Sequence, residues 1–325
     1  MKVLSTRSGG ANAIKSLRRR GGPRHLAHRL IILFVIARCG VAAQDHAALE
    51  QRIRGIAADF GGRVGVAAKN LVSGEVVRVN GDSLFPTASV IKLPVLVELF
   101  FLLRQQPDLG GKPIQLLDSL KKPGSGILQY LHGGQSLKLI DIASLMIILS
   151  DNTATNYVID QFGTQHDEKL EAVNSRMREL GLAHTKLLNK LYSFSTKKKT
   201  EEARRFGIGV SCPDDMLKLL ERIARREMID SMTSDSIIAI MRNQQDMLQA
   251  ARLLPFQEDS TLWIADKTGS LDEVKNDIGV VGNSKGRYVY AIFCDQSKDP
   301  GEQVDNRATL AVARISRLIY DHFVK

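Results

Sequence analysis

Ser89 and Lys92 stand three residues apart in Phe85-Pro86-Thr87-Ala88-Ser89-Val90-Ile91-Lys92-Leu93-Pro94-Val95-Leu96. On a helix that spacing places a hydroxyl and an amine on one face, one turn apart. Turn-forming residues precede them and an apolar run comes after. A helix is therefore predicted to begin at about Ser89 and to run to about Arg104. At a helix start the hydroxyl sits beside free backbone N–H groups and the positive end of the dipole. A lysine desolvated next to it loses its proton readily and can accept one from the serine, which is the chemistry of a nucleophile with its base. Alone, the pair also fits an N-cap serine and a surface lysine.

The elements around the pair follow from periodicity. Residues 44–60 carry Ala48, Leu49, Ile53, Ile56 and Ala57 on one helical face. Strands are expected over 63–70 and 75–80, joined at Ser73-Gly74 as a hairpin. Residues 89 to about 230 read as mostly helical, with helices over 140–149, 153–162, 168–180 and 214–226, and one more over 232–248. Pro213 lies where the 214–226 helix should open. Strands return over 262–267, 277–282 and 287–294, and a last helix spans roughly 303–323. The predicted fold class is α/β (α+β). It has one five-stranded, mostly antiparallel sheet built from both ends of the chain, flanked by the terminal helices, plus an all-helical lobe. The sheet lobe comprises about 44–88 and 250–325 and the helical lobe about 89–249, with a cleft between them as the natural ligand site.

Composition bounds the function. The chain has 325 residues, 44% hydrophobic and 25% charged, with a formal net charge of +10. Nine basic residues and no acidic one lie in residues 1–43, which leaves 36 basic against 35 acidic residues in the remainder. The basicity therefore belongs to the N-terminal segment, and the rest has no electrostatic case for nucleic acid. In that segment a basic stretch leads to Leu30-Ile31-Ile32-Leu33-Phe34-Val35-Ile36-Ala37 and then to Val41-Ala42-Ala43. This reads as an export signal over 1–43, cut after Ala43, and the mature protein as periplasmic or secreted with no stable membrane span. Arg38 before Cys39 is a poor fit to lipidation. Cys212 and Cys294 remain after the signal, and their pairing is open. The scattered histidines read as surface or internally satisfied residues. Neither metal nor cofactor is expected, and the protein is expected to be a monomer.

Two further stretches complete the constellation. Ser150-Asp151-Asn152 ends one helix and opens the next, and Lys267-Thr268-Gly269-Ser270 lies at the exit of a late strand. In this order, on these elements, the three motifs resemble the class A β-lactamase and penicillin-binding-protein superfamily of active-site serine enzymes. The resemblance runs from about residue 46 to the C-terminus and includes Phe85-Pro86, Asp151-Asn152-Thr153-Ala154 and Asn276-Asp277-Ile278. It implies that Ser89 opens a β-lactam ring and that Lys92 accepts or electrostatically activates its proton. Ser150 would relay a proton to the leaving nitrogen, and Asn152 would bind the substrate's side-chain amide. Lys267 and Thr268 would hold the carboxylate, and Gly269 would permit close approach of the strand. The N–H groups of Ser89 and Ser270 would form the oxyanion hole.

One departure matters. The resemblance leads one to expect a glutamate at the position of Leu191, where it would activate the deacylating water. No carboxylate lies between Thr185 and Thr200. Glu201 and Glu202 come next, beyond Lys197-Lys198-Lys199, and read as part of a solvated charged segment. The implied activity is β-lactam hydrolysis through a Ser89 acyl-enzyme. The alternatives are a D-alanyl peptide hydrolase or transpeptidase acting on cell-wall peptides, and a penicillin-binding sensor without turnover.

Overall fold

The computed structural model describes residues 45–301 and 303–324; the segment read as an export signal lies outside them. The described residues from Ala48 onward pack as one compact unit. After helix α1 (45–60) come strands β1 (Arg63–Asn70) and β2 (Val76–Val79), then the short strand β3 (Phe85–Pro86). A 3-10 turn over Ala88–Ile91 leads into α2 (Lys92–Gln105). The middle of the chain adds β4 (Pro113–Gln115), β5 (Ser136–Lys138), α3 (Leu139–Ile148), α4 (Asn152–Ile159) and α5 (His166–Glu179). Next come β6 (Lys186–Leu187), α6 (Glu201–Phe206), β7 (Gly209–Ser211), α7 (Pro213–Ala224) and α8 (Ser231–Met241). The chain closes with β8 (Trp263–Leu271), β9 (Val274–Asn283), β10 (Gly286–Asp295) and α9 (Arg307–Phe323).

Five strands form the main sheet in the order β2-β1-β10-β9-β8, every neighbour antiparallel. The expected sheet, assembled from both ends of the chain, is the observed one. Its strands alternate strictly. On β10, Val289, Ala291 and Phe293 join the core shared with α2, α3, α4, α7 and α8, whereas Tyr288, Tyr290, Ile292 and Cys294 join a second core with α1 and α9. Each large apolar side chain buried there contributes about 1.5–3 kcal/mol. Helix α2 is apolar all round and buried from Lys92 to Leu99, as expected of a helix through a core. Pro94 is tolerated because it falls in the first turn, where its missing N–H has no partner to lose.

Several boundaries differ from expectation. Ser89 lies within the 3-10 turn, and the α-helix begins only at Lys92. Residues Thr268 to Ser270 are strand interior rather than strand exit, because β9 continues to pair with β8 as far as Leu271 opposite Val274. The helix expected over 232–248 stops at Met241, and the last helix opens at Arg307, where Asn306 caps it. Cys212 and Cys294 are both buried and free. A three-stranded sheet, β3-β7-β6, has no counterpart in the expected fold. It joins the lead-in to Ser89 to both ends of the loop over 188–208.

Candidate active site

The turn carrying Ser89 is held from two sides. Asn276, fully buried on β9, donates from Nδ2 to the carbonyls of Pro86 (2.8 Å) and Thr87 (3.1 Å). The Thr87 N–H donates to the Gly209 carbonyl at 3.0 Å, tying the same turn to β7. Between them Ala88 has φ +45°, a sparsely populated conformation for a residue with a Cβ, and only this clamp keeps it there. β8 presses directly on the turn. A Cβ at Gly269 would lie 2.8 Å from the Thr87 carbonyl oxygen, 2.9 Å from the Val90 nitrogen and 3.1 Å from the Ser89 nitrogen. Glycine is required there for β8 to lie this close to the turn that carries Ser89.

Lys92 is completely buried under this turn. Its Nζ contacts the Ser150 carbonyl (2.6 Å), Ser150 Oγ (3.1 Å) and Asn152 Oδ1 (2.9 Å). Burial holds the amine well below its ordinary value, and the charge of Lys267 lowers it further against the pull of Asp151. A neutral amine has two N–H groups and one lone pair. The Ser150 carbonyl and Asn152 Oδ1 can only accept, so they take the two N–H groups. The lone pair is then left to face the Ser150 hydroxyl, which becomes the donor. Ser150 itself has φ +52°. Asp151 follows as the cap of α4, accepting from Ala154 N–H at 2.8 Å, and its other oxygen accepts from Leu128 N–H at 2.8 Å. Asn152 also donates from Nδ2 to the Pro123 carbonyl at 2.9 Å.

Lys267 is the second buried lysine, its Nζ donating to the Thr268 carbonyl at 2.7 Å. Burial lowers it to about 8, opposed by Asp266, Asp246 and Asp277. Burial thus lowers both lysines, and at Lys267 three carboxylates oppose it. Beneath them Asp266 is buried with neither carboxyl oxygen hydrogen-bonded, and burial holds it up to about 8 against the pull of Lys267.

An open cleft of about 420 Å³ runs past these groups. Ser89, Ser150, Thr268 and Ser270 line it, so residues from three separate stretches meet there. Lys92, Lys267 and Asn152 do not line it; Lys92 is tied both to the lining Ser150 and to Asn152. Three further lining residues escape the sequence reading. Lys275, directly opposite Ser270 in the β8–β9 register, is 4% exposed and brings a further cation. Gln249 donates from Nε2 to Ser270 Oγ at 3.2 Å, which leaves the serine's own proton free to turn into the cleft. Ser125 faces the opposite wall. Strand alternation on β9 is the signal for Lys275; Gln249 and Ser125 lie on irregular chain and have none.

The loop over 188–208 carries Leu191 to the edge of this machinery. Asn156, one turn beyond Asn152 on α4, holds it by both main-chain groups: Nδ2 donates to the Leu191 carbonyl (2.8 Å), and Oδ1 accepts its N–H (3.0 Å). Leu191 is 4% exposed. Glu201 and Glu202 stand apart from the cleft in the first turn of α6, Glu202 pairing with Lys186 at 2.8 Å.

The chain belongs to the beta-lactamase enzyme family, whose model matches residues 48–323. Among its relatives, beta-lactamase BRO-1 of Moraxella catarrhalis is 25% identical over 257 residues, 76% of each chain. The beta-lactamase from Sphaerobacter thermophilus is 28% identical with a TM-score of 0.72, over 87% of this chain and 97% of that one. A leucine-to-glutamate mutant of PBP-A, solved as an acyl-enzyme complex with penicillin G, is also 28% identical with a TM-score of 0.72, over 86% and 97% of the two chains.

Proposed function

We propose that the protein is an active-site serine hydrolase that takes β-lactams onto Ser89. The observation that carries this reading is the buried, hydrogen-bonded Lys92, a base with no solvated alternative. Ser89 Oγ attacks the ring carbonyl carbon and its proton passes by way of the Ser150 hydroxyl to the Lys92 amine. The carbonyl oxygen takes up negative charge toward the main-chain N–H groups of Ser89 and Ser270. The C–N bond then breaks, and the ring nitrogen receives a proton from Ser150, which is replenished from Lys92. Lys267, Thr268 and Lys275 hold the substrate carboxylate, and Asn152 offers its remaining N–H to the acyl-side amide. The basic and apolar leader over 1–43 supports export of the protein, and among the described residues no helix is long and apolar enough to cross a membrane.

Leu191 favours a second reading of the step after acylation. A leucine cannot take a proton from water, so the acyl-enzyme formed at Ser89 clears slowly. The protein then works as a penicillin-binding protein whose own substrate is a D-alanyl peptide. The kinship with PBP-A supports this reading. Intact-protein mass after mixing with excess benzylpenicillin, beside Ser89→Ala, tests both. An adduct on the wild type alone supports Ser89 as nucleophile, and its persistence supports slow clearance. The absence of any adduct contradicts both readings.

A further inference from the structure

A second cavity, of about 480 Å³, adjoins the loop over 188–208 and is lined by Lys122, Lys169, Lys190 and Asp160 with the rings of Tyr192 and Phe194. Its cations come from three elements: Lys169 from α5, Lys190 from the loop, and Lys122 from the segment that leads to Ser125. Asp160 accepts from Lys169 at 2.7 Å and from Lys190 at 2.7 Å through each carboxyl oxygen. Among the described residues, the Lys122 ammonium has no partner. Three lysines thus face one aspartate in a half-enclosed space, and the surplus positive charge is shielded less than on open surface. His166 lines the same cavity and registers this field. Burial lowers its imidazole, and Lys190, Lys198 and Lys169 lower it further, with Asp167 opposing. Phe194 is 78% exposed and Tyr192 46%, so an apolar face stands beside the cations without a partner.

This cavity borders the cleft. Lys122 lines the one and Ser125 lines the other, and three residues of chain span at most about 11 Å. Between them lies Gly124, with φ +91°, whose side-chain position is filled by its neighbours. A Cβ at that position would lie 2.9 Å from Asn152 Nδ2 and 3.1 Å from the Tyr192 hydroxyl. Asn152 and Tyr192 therefore meet beside Gly124, which sets the Asn152 amide next to a ring that lines the lysine cavity.

We propose that this cavity is an anion subsite for the acyl side of the substrate. The preferred substrate is then an acidic peptide, with carboxylates upstream of the bond that Ser89 attacks. The inference rests on the reading of Ser89 and Asn152 given above. It assigns a cation cluster to each end of the substrate: Lys267 and Lys275 to the terminal carboxylate, and Lys122, Lys169 and Lys190 to the acidic residues upstream.

The test is titration calorimetry of Ser89→Ala protein with acetyl-Glu-Glu-D-Ala-D-Ala and with acetyl-Gln-Gln-D-Ala-D-Ala. The acidic peptide is expected to bind about tenfold more tightly at low ionic strength, and the ratio to shrink toward one in high salt. Lys122→Gln, added to the same protein, should abolish the preference without unfolding it, because that ammonium supports no other group. Lys169→Gln is the second variant, since Lys190 still neutralises Asp160. Equal affinities, no binding of the acidic peptide, or a preference untouched by both variants overturns the proposal. The benzylpenicillin adduct reports separately on Ser89, because that acyl side chain carries no charge. A missing adduct with an intact acid preference sinks the nucleophile and leaves the anion subsite; an adduct without the preference does the reverse.

Discussion

Two regions meet at Ser89 and are built to different standards. On the sheet side every group is fixed: Asn276 holds the turn, Gly269 lets β8 touch it, and Lys92 and Lys267 are buried with lowered amines. On the loop side the scaffold is just as firm, with Asn156 clamping Leu191 by both main-chain groups, yet the side chain delivered there has no chemistry. On the proposed reading the first region supplies what acyl transfer to serine requires, and the second presents a leucine where that reading would want a water-activating residue. Positioning and reactivity are thus separable. A frame can persist while the group it presents decides whether an acyl-enzyme is an intermediate or an end point.

The largest expected effect would erase the sheet side. Lys92→Ala should slow acylation by benzylpenicillin about a thousandfold or more, measured by the rate of adduct formation, since general-base contributions run to about 10²–10⁴. An acylation rate within tenfold of wild type would remove Lys92 from the role of base. Next, Leu191→Glu supplies the loop side with its missing carboxylate. Clearing of the penicilloyl adduct should accelerate about a hundredfold with acylation little changed. If clearing stays at the wild-type rate, the loop does not present this position to the deacylating water.

Gly269→Val should perturb structure and chemistry together. Its new Cβ meets backbone atoms that cannot move aside, so stability should fall by about 1–3 kcal/mol and acylation with it. Thermal unfolding and adduct formation on one preparation check this. The smallest effect is in pH. Acylation needs Lys92 neutral and Lys267 charged. The rate should therefore fall as pH drops through the lowered Lys92 value, and fall again above about 8 as Lys267 loses its proton. Asp266 adds a stability counterpart of opposite sense to an ordinary carboxylate. Its folded value is raised to about 8, so the native state binds more protons between the unfolded value and 8, and stability falls as pH rises through that window. Asp266→Asn should accordingly raise the melting temperature at pH 9 by about 3 °C, the shift that about 1 kcal/mol gives in a chain of this size, with little change at pH 5.

The five-stranded sheet and the broad helical middle are legible in the sequence because period-2 and period-3.6 patterns are local. The four side chains Ser89, Lys92, Ser150 and Lys267 are legible for a related reason: their types recur at fixed spacing on elements that periodicity identifies. The residues that escape depend on contacts made across elements. Lys275 matters through its register opposite Ser270, and Asn276 through carbonyls 189 and 190 residues away in sequence. Asn156 matters through a loop whose path no pattern predicts. The 3-10 turn at Ser89 escapes for the same reason, since its geometry is imposed by Asn276 and β8 rather than by its own residues. The lysines of the second cavity read as charges on a basic loop, and only folding gathers them around Asp160.

Intact acylation with deficient deacylation is open to direct measurement, because both rates can be followed on one wild-type sample. The protein is acylated with benzylpenicillin, freed of unreacted drug, and followed by intact mass. Stoichiometric acylation that Ser89→Ala abolishes is expected, with clearing at least a hundredfold slower than acylation. Clearing as fast as acylation, with steady hydrolysis and no accumulated adduct, would contradict this and require another group to stand in for a carboxylate at Leu191.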